Sequence, residues 1–415
     1  MFAGIGFILL GVAFLVTMLA YPHVLNYARR HNIVDNPNAR KLQRVPVPVM
    51  GGTAVMIGFV VSLAVGFCIQ PSPRALWVLA LLLVMYGIGV WDDRKDVSAE
   101  FRFLIELVVV WLMILTLGVE INDFHGLWGV HAIPDAVSVP LSLVAGVGIM
   151  NAINLIDGVD GYCSTFGIMA CTVFAIVFYC AGDLLMFGLA LITIGALIPF
   201  FFHNVFGQSS KMFLGDGGSL MLGTLLALFA FAALSKDSPC AEYGDQGLSL
   251  SALVAAVLAV PIFDTLKVMI MRVAKGRSPF HPDKTHLHHL FIEMNFSHLA
   301  TSAIIVLANT MIVVVLIVAW QLGAGIDLQF YIVFVLGFLV TWGFYFFMEW
   351  HHRQNDGEGS ALYQRWIRRG KKSNWSGTPI WKWIRMVMDS GWLGGKPAVT
   401  PKQTGSPKRP DPRIQ

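Results

Sequence analysis

The chain has 415 residues, of which 56% are hydrophobic and only 13% are charged, with a formal net charge of +4. Typical globular chains carry about 25% charged residues, so this composition excludes an ordinary soluble domain. We predict an all-α, polytopic protein of the lipid bilayer, with no nucleic-acid partner. The five cysteines lack the paired spacing of a metal site and predict no disulfide framework.

Eleven apolar runs of about 20 residues, the length that crosses a bilayer, follow one another along the chain. They cover residues 2–21, 49–69, 75–91, 102–118, 137–156, 163–181, 184–203, 217–235, 250–271, 299–321 and 329–349. The first run has no basic residue before it and several after it, which predicts an uncleaved anchor. Because the number of runs is odd, we expect the termini on opposite sides of the membrane.

The basic residues are distributed unevenly between the two sets of loops. If the N-terminus lies outside, the inside loops and the C-terminal tail carry 26 Lys and Arg residues, and the outside loops carry two. The positive-inside rule then predicts a cytoplasmic C-terminus. All the polar clusters fall on this cytoplasmic side, which favours catalysis there over a transporter, whose site is expected near the bilayer midplane. A transporter remains the alternative from another class.

Two adjacent carboxylates end the third apolar run, at Asp92 and Asp93. Paired carboxylates at a membrane surface bind a divalent cation or shift each other's pKa. The alternative is an ordinary acidic loop neutralised by its basic neighbours. Arg102, which opens the next run, is placed either to pair with an anionic ligand or to extend towards the interface.

The stretch from Asn151 to Gly161 turns abruptly from apolar to polar and carries two amides and two carboxylates at a spacing of three. They are Asn151, Asn154, Asp157 and Asp160. On a helix this spacing places them along one slowly drifting face. Gly158 and Gly161 permit a close approach of the backbone to a ligand. Such groups require a polar cavity or a cation. The alternative is a helix end with a solvated acidic turn.

Asp216 stands among glycines at the start of the eighth apolar run, in Phe213-Leu-Gly-Asp-Gly-Gly-Ser. Glycine amides at a helix N-terminus form an anion site, and a carboxylate fits there if a cation bridges it to a phosphate. A simple helix cap is the alternative. Lys211 lies close enough in sequence to assist an anion.

Two further candidates follow in the ninth run and the loop after it. Asp264 lies within the run, with Lys267 or Arg272 as partners, so it is either a functional carboxylate or a buried ion pair. The cluster after Lys284 consists of His286, His288 and His289. These histidines suit a diphosphate as donors near neutral pH, with zinc as the alternative, although no cysteine is nearby.

The sequence divides into a multispanning domain over residues 1–350 and a basic tail over residues 351–415. The tail is rich in tryptophan, and its first half is expected to lie on anionic lipid. Its end, from Gly394, has the composition of a disordered segment.

These clusters, in this order, resemble the polyprenyl-phosphate N-acetylhexosamine-1-phosphate transferases, multispanning enzymes that start cell-envelope glycans. The matching pieces are Met50-Gly-Gly-Thr, Asp92-Asp-Arg-Lys-Asp, Asn151-Ala-Ile-Asn-Leu-Ile-Asp-Gly-Val-Asp-Gly, Phe213-Leu-Gly-Asp-Gly-Gly-Ser, Pro261-Ile-Phe-Asp and His286-Leu-His-His. Within the family, Arg102 and the interrupted histidine run resemble the branch that transfers GlcNAc-1-phosphate to undecaprenyl phosphate. The tail after about residue 350 lies outside the resemblance.

The resemblance implies a bacterial plasma-membrane enzyme that uses a UDP-N-acetylhexosamine and releases UMP. The implied ligands of Mg²⁺, with Mn²⁺ as an alternative, are Asn154 and Asp216. The implied catalytic carboxylates, which orient the lipid phosphate, take its proton or serve the sugar, are Asp92, Asp93, Asp157 and Asp160. The implied substrate-binding residues are Asn151, Arg102, Lys211, Asp264, Arg272, His286, His288 and His289. Other UDP-amino sugars, UDP-MurNAc-pentapeptide as donor and a homodimer remain open alternatives.

Overall fold

The computed structural model describes residues 2–36, 45–278, 285–354 and 360–390. Its regular structure is almost entirely helical, which confirms the predicted all-α class. The first eight helices are α1 Phe2–Arg30, α2 Gly51–Ile69, α3 Pro73–Lys95, α4 Ala99–Leu117, α5 Asp135–Leu155, α6 Tyr162–Ala181, α7 Leu184–Phe206 and α8 Gly215–Leu234. The others are α9 Ala241–Asp245, α10 Leu250–Val257, α11 Ala259–Ala274, α12 Leu287–Glu293, α13 His298–Gln321, α14 Ile326–Phe338, α15 Phe344–His352, α16 Ala361–Lys372 and α17 Pro379–Asp389.

Short irregular pieces complete these elements. Strands β1 Val34–Asp35 and β2 Val47–Pro48 pair antiparallel. A 3₁₀ turn covers Leu127–Gly129, and a π turn at Leu339–Gly343 joins α14 to α15. The histidine loop's Lys284, the residues 37–44 and the tail beyond residue 390, including its predicted disordered end, lie outside the described residues.

The described helices include nine that are long and apolar enough to cross a membrane, and ten if α10 and α11, which meet at a 72° bend, form one span. The predicted number was eleven. The remaining predicted run corresponds to α4, whose 19 residues include Glu100, Arg102 and Glu106. The chain is therefore a multi-pass membrane protein, and the charges on α4 set that helix apart from the other ten runs.

Helix α8 forms the centre of the bundle, because each of its residues except Asp216 is buried. It packs mainly against α3 and α5, while α7 packs against α1 and α6. The outer helices expose large apolar side chains such as Leu15, Trp111 and Val144. In a bilayer these surfaces face hydrocarbon, where an apolar side chain carries no desolvation cost.

Glycines allow α2 and α3 to approach the start of α8 closely. A Cβ atom on Gly89 would lie against the backbone of Asp216 and Gly217, and a Cβ atom on Gly52 would lie against Gly218. The Met50-Gly-Gly-Thr motif therefore serves backbone packing at this point.

Local turns then bring the polar ends of several helices together. Between α3 and α4, Asp96 adopts a left-handed conformation with φ of 45°, and the Ser98 side chain accepts a hydrogen bond from the Phe101 amide. Between α5 and α6, Gly161 has φ of 78°, and its amide donates to the side-chain oxygen of Asn204 at 2.7 Å. These turns place the C-terminal ends of α3 and α5 beside the beginnings of α4 and α8.

Candidate active site

Two carboxylates from other parts of the chain lie at the backbone amides that begin α8. Asp93 accepts hydrogen bonds from the amides of Asp216 at 3.0 Å and Gly217 at 3.3 Å. The Gly215 amide lies near the carboxylate of Asp157. The glycine-rich turn was expected to present these amides to an anionic ligand. Instead they bind carboxylates of the protein itself, because an N-terminal helix dipole attracts any neighbouring negative charge.

Asp216 faces the end of α5. The Asn154 side-chain amide donates to Asp216 at 2.8 Å and to the Ser219 hydroxyl at 3.0 Å. Asp92 lies within hydrogen-bonding reach of Asp216. The two residues that the family resemblance assigns to the metal therefore touch each other, with a further carboxylate beside them.

Arg102 joins the end of α3 to the end of α5. Its guanidinium contacts Asp92 at 3.1 Å and the side-chain oxygen of Asn151 at 3.2 Å. It also lies 3.5 Å from Glu106, one turn further along α4. The Asn151 amide donates to Glu106 in turn. Arg102 therefore orients an aspartate and an asparagine that the sequence analysis had singled out independently.

Glu106 is one of the residues that sequence reasoning missed. It is fully buried and completes the network of Arg102 and Asn151. A signal for it was present, since a carboxylate four residues after Arg102 inside an apolar run requires a buried partner.

The loop between α5 and α6 carries two carboxylates in opposite surroundings. Burial and the negative charges of Asp216, Asp93 and Asp160 raise the pKa of Asp157 well above its usual range. Burial also opposes ionisation of Asp160, but the hydrogen bond and charge of His298 and the charge of Lys211 outweigh it, so the pKa of Asp160 is lowered.

Lys211 and His298 both bind the same oxygen of Asp160, at 2.6 Å and 2.7 Å. Lys211 was predicted to assist an anionic ligand, but its charge is engaged by this carboxylate. Asp160 consequently ties the loop to the beginning of α13 and to the segment before α8. His298 was not among the predicted site residues.

A second group of polar residues, which we term the histidine half, comprises Asp264, Lys267, His286, His288 and His289. Asp264 binds the Lys267 ammonium at 2.7 Å and His286 Nδ1 at 3.0 Å, and it accepts from the Leu287 amide at 3.0 Å. Lys267 is fully buried. Asp264 therefore fixes the start of α12, and this geometry favours the buried ion pair over direct binding of substrate.

The three rings of the histidine half lie close together. The rings of His286 and His288 are parallel at 5.6 Å, and that of His289 lies 4.4 Å from His288. His286 Nε2 and His288 Nδ1 are buried without a hydrogen-bond partner in the described part of the chain. Burial and the neighbouring imidazoles lower the pKa of His288 well below its usual range. These nitrogens are available to a ligand, and Arg272 is buried at the end of the adjoining α11.

The histidine half lies against the loop between α5 and α6 at Gly158. A Cβ atom built there would lie 3.1 Å from His288 Nε2, and the His288 ring packs edge-on against Tyr162. We term the other group, formed by Asp92, Asp93, Asp157 and Asp216, the acidic half. The loop of residues 156–161, which carries Asp157 of the acidic half, thus lies directly beside His288 of the histidine half.

The donor groups of the acidic half suit a hydrated metal ion. Among the described residues, no three His, Cys, Asp or Glu side chains form a ready-made metal site. Mg²⁺, however, keeps several waters and is held by one or two carboxylates together with substrate phosphates. The Asp216 carboxylate, with Asn154 in contact and Asp92 beside it, matches that donor chemistry, and a divalent cation would relieve the repulsion between the two carboxylates.

The chain was compared with known proteins. Residues 75–234 match the family model described as glycosyl transferase family 4. A probable undecaprenyl-phosphate N-acetylglucosaminyl 1-phosphate transferase of Bacillus subtilis is 32% identical over 333 residues, covering 78% of this chain and 88% of that protein. A decaprenyl-phosphate N-acetylglucosaminephosphotransferase of Mycobacterium tuberculosis is 33% identical over 312 residues, covering 69% and 75%.

A third relative is the undecaprenyl-phosphate alpha-N-acetylglucosaminyl 1-phosphate transferase of Escherichia coli K12, 27% identical over 72% of this chain and 80% of its own. An all-α membrane bundle with a polar site at the helix ends, together with these matches, defines a membrane transferase. The chain belongs to glycosyl transferase family 4 and is a glycosyl-1-phosphate transferase. It is therefore an enzyme rather than a transporter.

Proposed function

We propose that the protein transfers N-acetylglucosamine-1-phosphate from its UDP-sugar to undecaprenyl phosphate, giving undecaprenyl-diphospho-N-acetylglucosamine and UMP. The relatives described above, which are named for N-acetylglucosaminyl 1-phosphate and undecaprenyl phosphate, support this sugar phosphate and a polyprenyl phosphate acceptor. The observation that carries the proposal is the position of His288 against Gly158, the neighbour of Asp157, on the loop that follows the Asn154–Asp216 contact. One side suits a cation with phosphate oxygens, and the other offers imidazole nitrogens.

The reaction joins two anions, so charge is its main physical obstacle. An oxygen of the lipid phosphate attacks the phosphorus that bears the sugar, and the bond from that phosphorus to the bridging oxygen breaks, so that UMP leaves with the bonding electrons. A phosphomonoester has a second pKa of about 6 and is already nucleophilic at neutral pH. Positioning and charge stabilisation are therefore worth more than a strong base.

The carboxylates at the end of α3, Asp92 and Asp93, are placed to hold other groups in position. Each carboxylate oxygen of Asp93 accepts a hydrogen bond from a backbone amide of α8. We therefore assign Asp93 the role of holding Asp216 in place. Asp92 accepts from Arg102 and from the Val97 amide, which fixes its side chain at the mouth of the site. Asp92 and Arg102 together would orient the lipid phosphate.

The remaining groups would hold the donor. Asp216 and Asn154 would bind Mg²⁺, which supplies positive charge to the diphosphate. The buried nitrogens of His286 and His288 would face its phosphate oxygens and donate to them where they carry a hydrogen, with His289 and Arg272 beside them. We place this site on the cytoplasmic side, with the N-terminus outside, because the basic loops lie at the site end of the helices.

Purified protein tests the proposal directly. With undecaprenyl phosphate and Mg²⁺, UDP-N-acetylglucosamine should yield equal amounts of UMP and of the lipid diphosphosugar, measured by chromatography and mass spectrometry. A panel of other UDP-amino sugars and UDP-MurNAc-pentapeptide, under identical conditions, provides the control. Faster turnover of another donor would overturn the sugar assignment, and no UMP from any donor would overturn the reaction.

A further inference from the structure

The C-terminal tail is attached to the bundle beside the site. At the end of α17, the Asp389 carboxylate accepts from the backbone amides of Gln208 at 3.1 Å and Ser210 at 2.9 Å. The Trp381 ring packs on Phe206 with 4.6 Å between centroids. Helix α17 is therefore fixed across the end of α7 in a defined orientation.

Helix α16 is attached at a second point. The Ser297 amide donates to the Ser373 hydroxyl at 3.0 Å, and the Ser297 hydroxyl donates to the Ser373 carbonyl at 3.0 Å. A Cβ atom on Gly370 would meet the Met294 carbonyl, so glycine permits α16 to lie directly on the turn between α12 and α13. The tail thus contacts the chain immediately before Lys211 and before His298.

The outward surface of the tail is both apolar and basic. Exposed apolar side chains include Trp375 at 64%, Ile380 at 72%, Trp383 at 62% and Met386 at 61%. Exposed basic side chains on the two helices are Arg365, Arg368, Arg369, Lys371, Lys372 and Lys382. Helix α16 contains no acidic residue, and the single carboxylate of α17, Asp389, is engaged by the bundle.

We propose that α16, α17 and the turn between them form a docking surface for an anionic bilayer. Helix α17 lies at the end of α7, a membrane-spanning helix, and α16 follows shortly after α15 ends at His352, which places both helices at the level of the headgroups. Tryptophan and isoleucine enter the interface there, while lysine and arginine bind lipid phosphates.

This inference goes beyond the proposed transfer reaction and does not depend on it. Its consequence concerns the site, because the tail contacts the segments that carry Lys211 and His298, the two partners of Asp160. A tail held on the membrane surface therefore restrains the loop of residues 156–161.

The docking surface can be tested on the full-length protein in phosphatidylcholine vesicles with and without phosphatidylglycerol. The exposed Cys68 and Cys180 are replaced by serine, and a spin label is attached to Ile380→Cys. Phosphatidylglycerol should raise collisions of the label with oxygen and lower those with a water-soluble nickel complex. A label on Glu100→Cys, exposed at the start of α4, should remain water-accessible in both vesicles.

The triple variant Arg365→Gln, Arg368→Gln, Arg369→Gln separates charge from apolar insertion. Each basic residue near the surface changes membrane affinity by roughly fivefold, so the variant should need far more phosphatidylglycerol to shield the Ile380→Cys label. Arg74→Gln, at the beginning of α3, should change nothing. A label that stays accessible to nickel in all vesicles would overturn the docking surface.

Two other outcomes also contradict the proposal. Equal shielding in vesicles with and without phosphatidylglycerol would remove the anionic lipid as the partner. Spin–spin broadening that disappears when labelled protein is diluted with unlabelled protein would show that a second copy covers this surface.

Discussion

The acidic half and the histidine half differ in how the charges of their carboxylates are balanced. In the histidine half, Asp264 is matched by Lys267 and His286, so its charge is neutralised within the protein. In the acidic half, Asp93, Asp157 and Asp216 form no ion pair among the described residues, while Arg102 pairs with Asp92.

This difference indicates which half depends on a ligand. A buried ion pair with matched hydrogen bonds is a complete structural unit, and removal of one partner leaves an uncompensated charge. Adjacent carboxylates without cations repel one another until a cation binds or one of them is protonated, and burial together with this repulsion raises the pKa of Asp157. The histidine half should therefore hold its shape alone, whereas the acidic half should respond strongly to Mg²⁺ and to loss of a carboxylate.

The largest effect is expected for Asp216→Asn. Loss of this charge removes a proposed metal ligand while keeping the hydrogen-bonding shape, so turnover should fall by at least about a hundredfold. Steady-state UMP release over a range of Mg²⁺ concentrations measures it. Asp135→Asn, an exposed carboxylate at the other end of α5, is the matched control. Near-normal activity of Asp216→Asn at saturating Mg²⁺ would break the proposed distinction between the halves.

His286→Ala should have the next largest effect. Hydrogen bonds to charged groups contribute roughly 1.5–3 kcal/mol, so kcat/KM for the UDP-sugar should fall by about ten- to a hundredfold. The exposed His131 provides a control through His131→Ala. If the histidines only stabilise the start of α12, the yield of folded protein would drop while donor kinetics stayed unchanged, so membrane abundance must be measured beside kcat/KM.

Asp92→Asn should reduce turnover by about tenfold, the size of one charge-assisted hydrogen bond. If Asp92 orients the lipid phosphate through Arg102, the defect should be equal at pH 6 and pH 8. A base that removes the last proton of a monoanionic phosphate would matter more at pH 6, because the second phosphate pKa is about 6. The turnover rates of the wild type and of Asp92→Asn, measured between pH 6 and pH 8, distinguish the orienting role from the role of a base.

Asp160→Asn should affect stability more than chemistry. Because its pKa is lowered in the folded protein, the carboxylate stabilises the fold above its usual pKa of about 3.9, and this contribution is lost as the pH falls through the lowered value. Its partners are partly exposed, so the cost should be only about 1–2 kcal/mol. Thermal unfolding in detergent should show a difference at pH 5 that narrows in stronger acid. A difference that widens in acid would contradict the assignment.

The sequence alone determined the class of the protein and the location of its polar clusters. Long apolar runs leave only a helical bundle in a bilayer, because every backbone amide must be bonded within its own helix. Asn151, Asn154, Asp92 and Asp216 could be selected because polar groups beside apolar runs need a partner. Glu106 is likewise a polar residue in an apolar run, but its position in the middle of a predicted helix gave no indication that it lies beside the site.

Only the tertiary structure decided which of these groups face one another. The amides of Asp216 and Gly217 looked like an anion site in sequence, yet Asp93 from α3 occupies them. Lys211 looked like a ligand for phosphate, yet Asp160 binds it across the loop. Sequence spacing describes neighbours within one helix, whereas electrostatic partners are chosen among all groups that packing brings within a few ångströms.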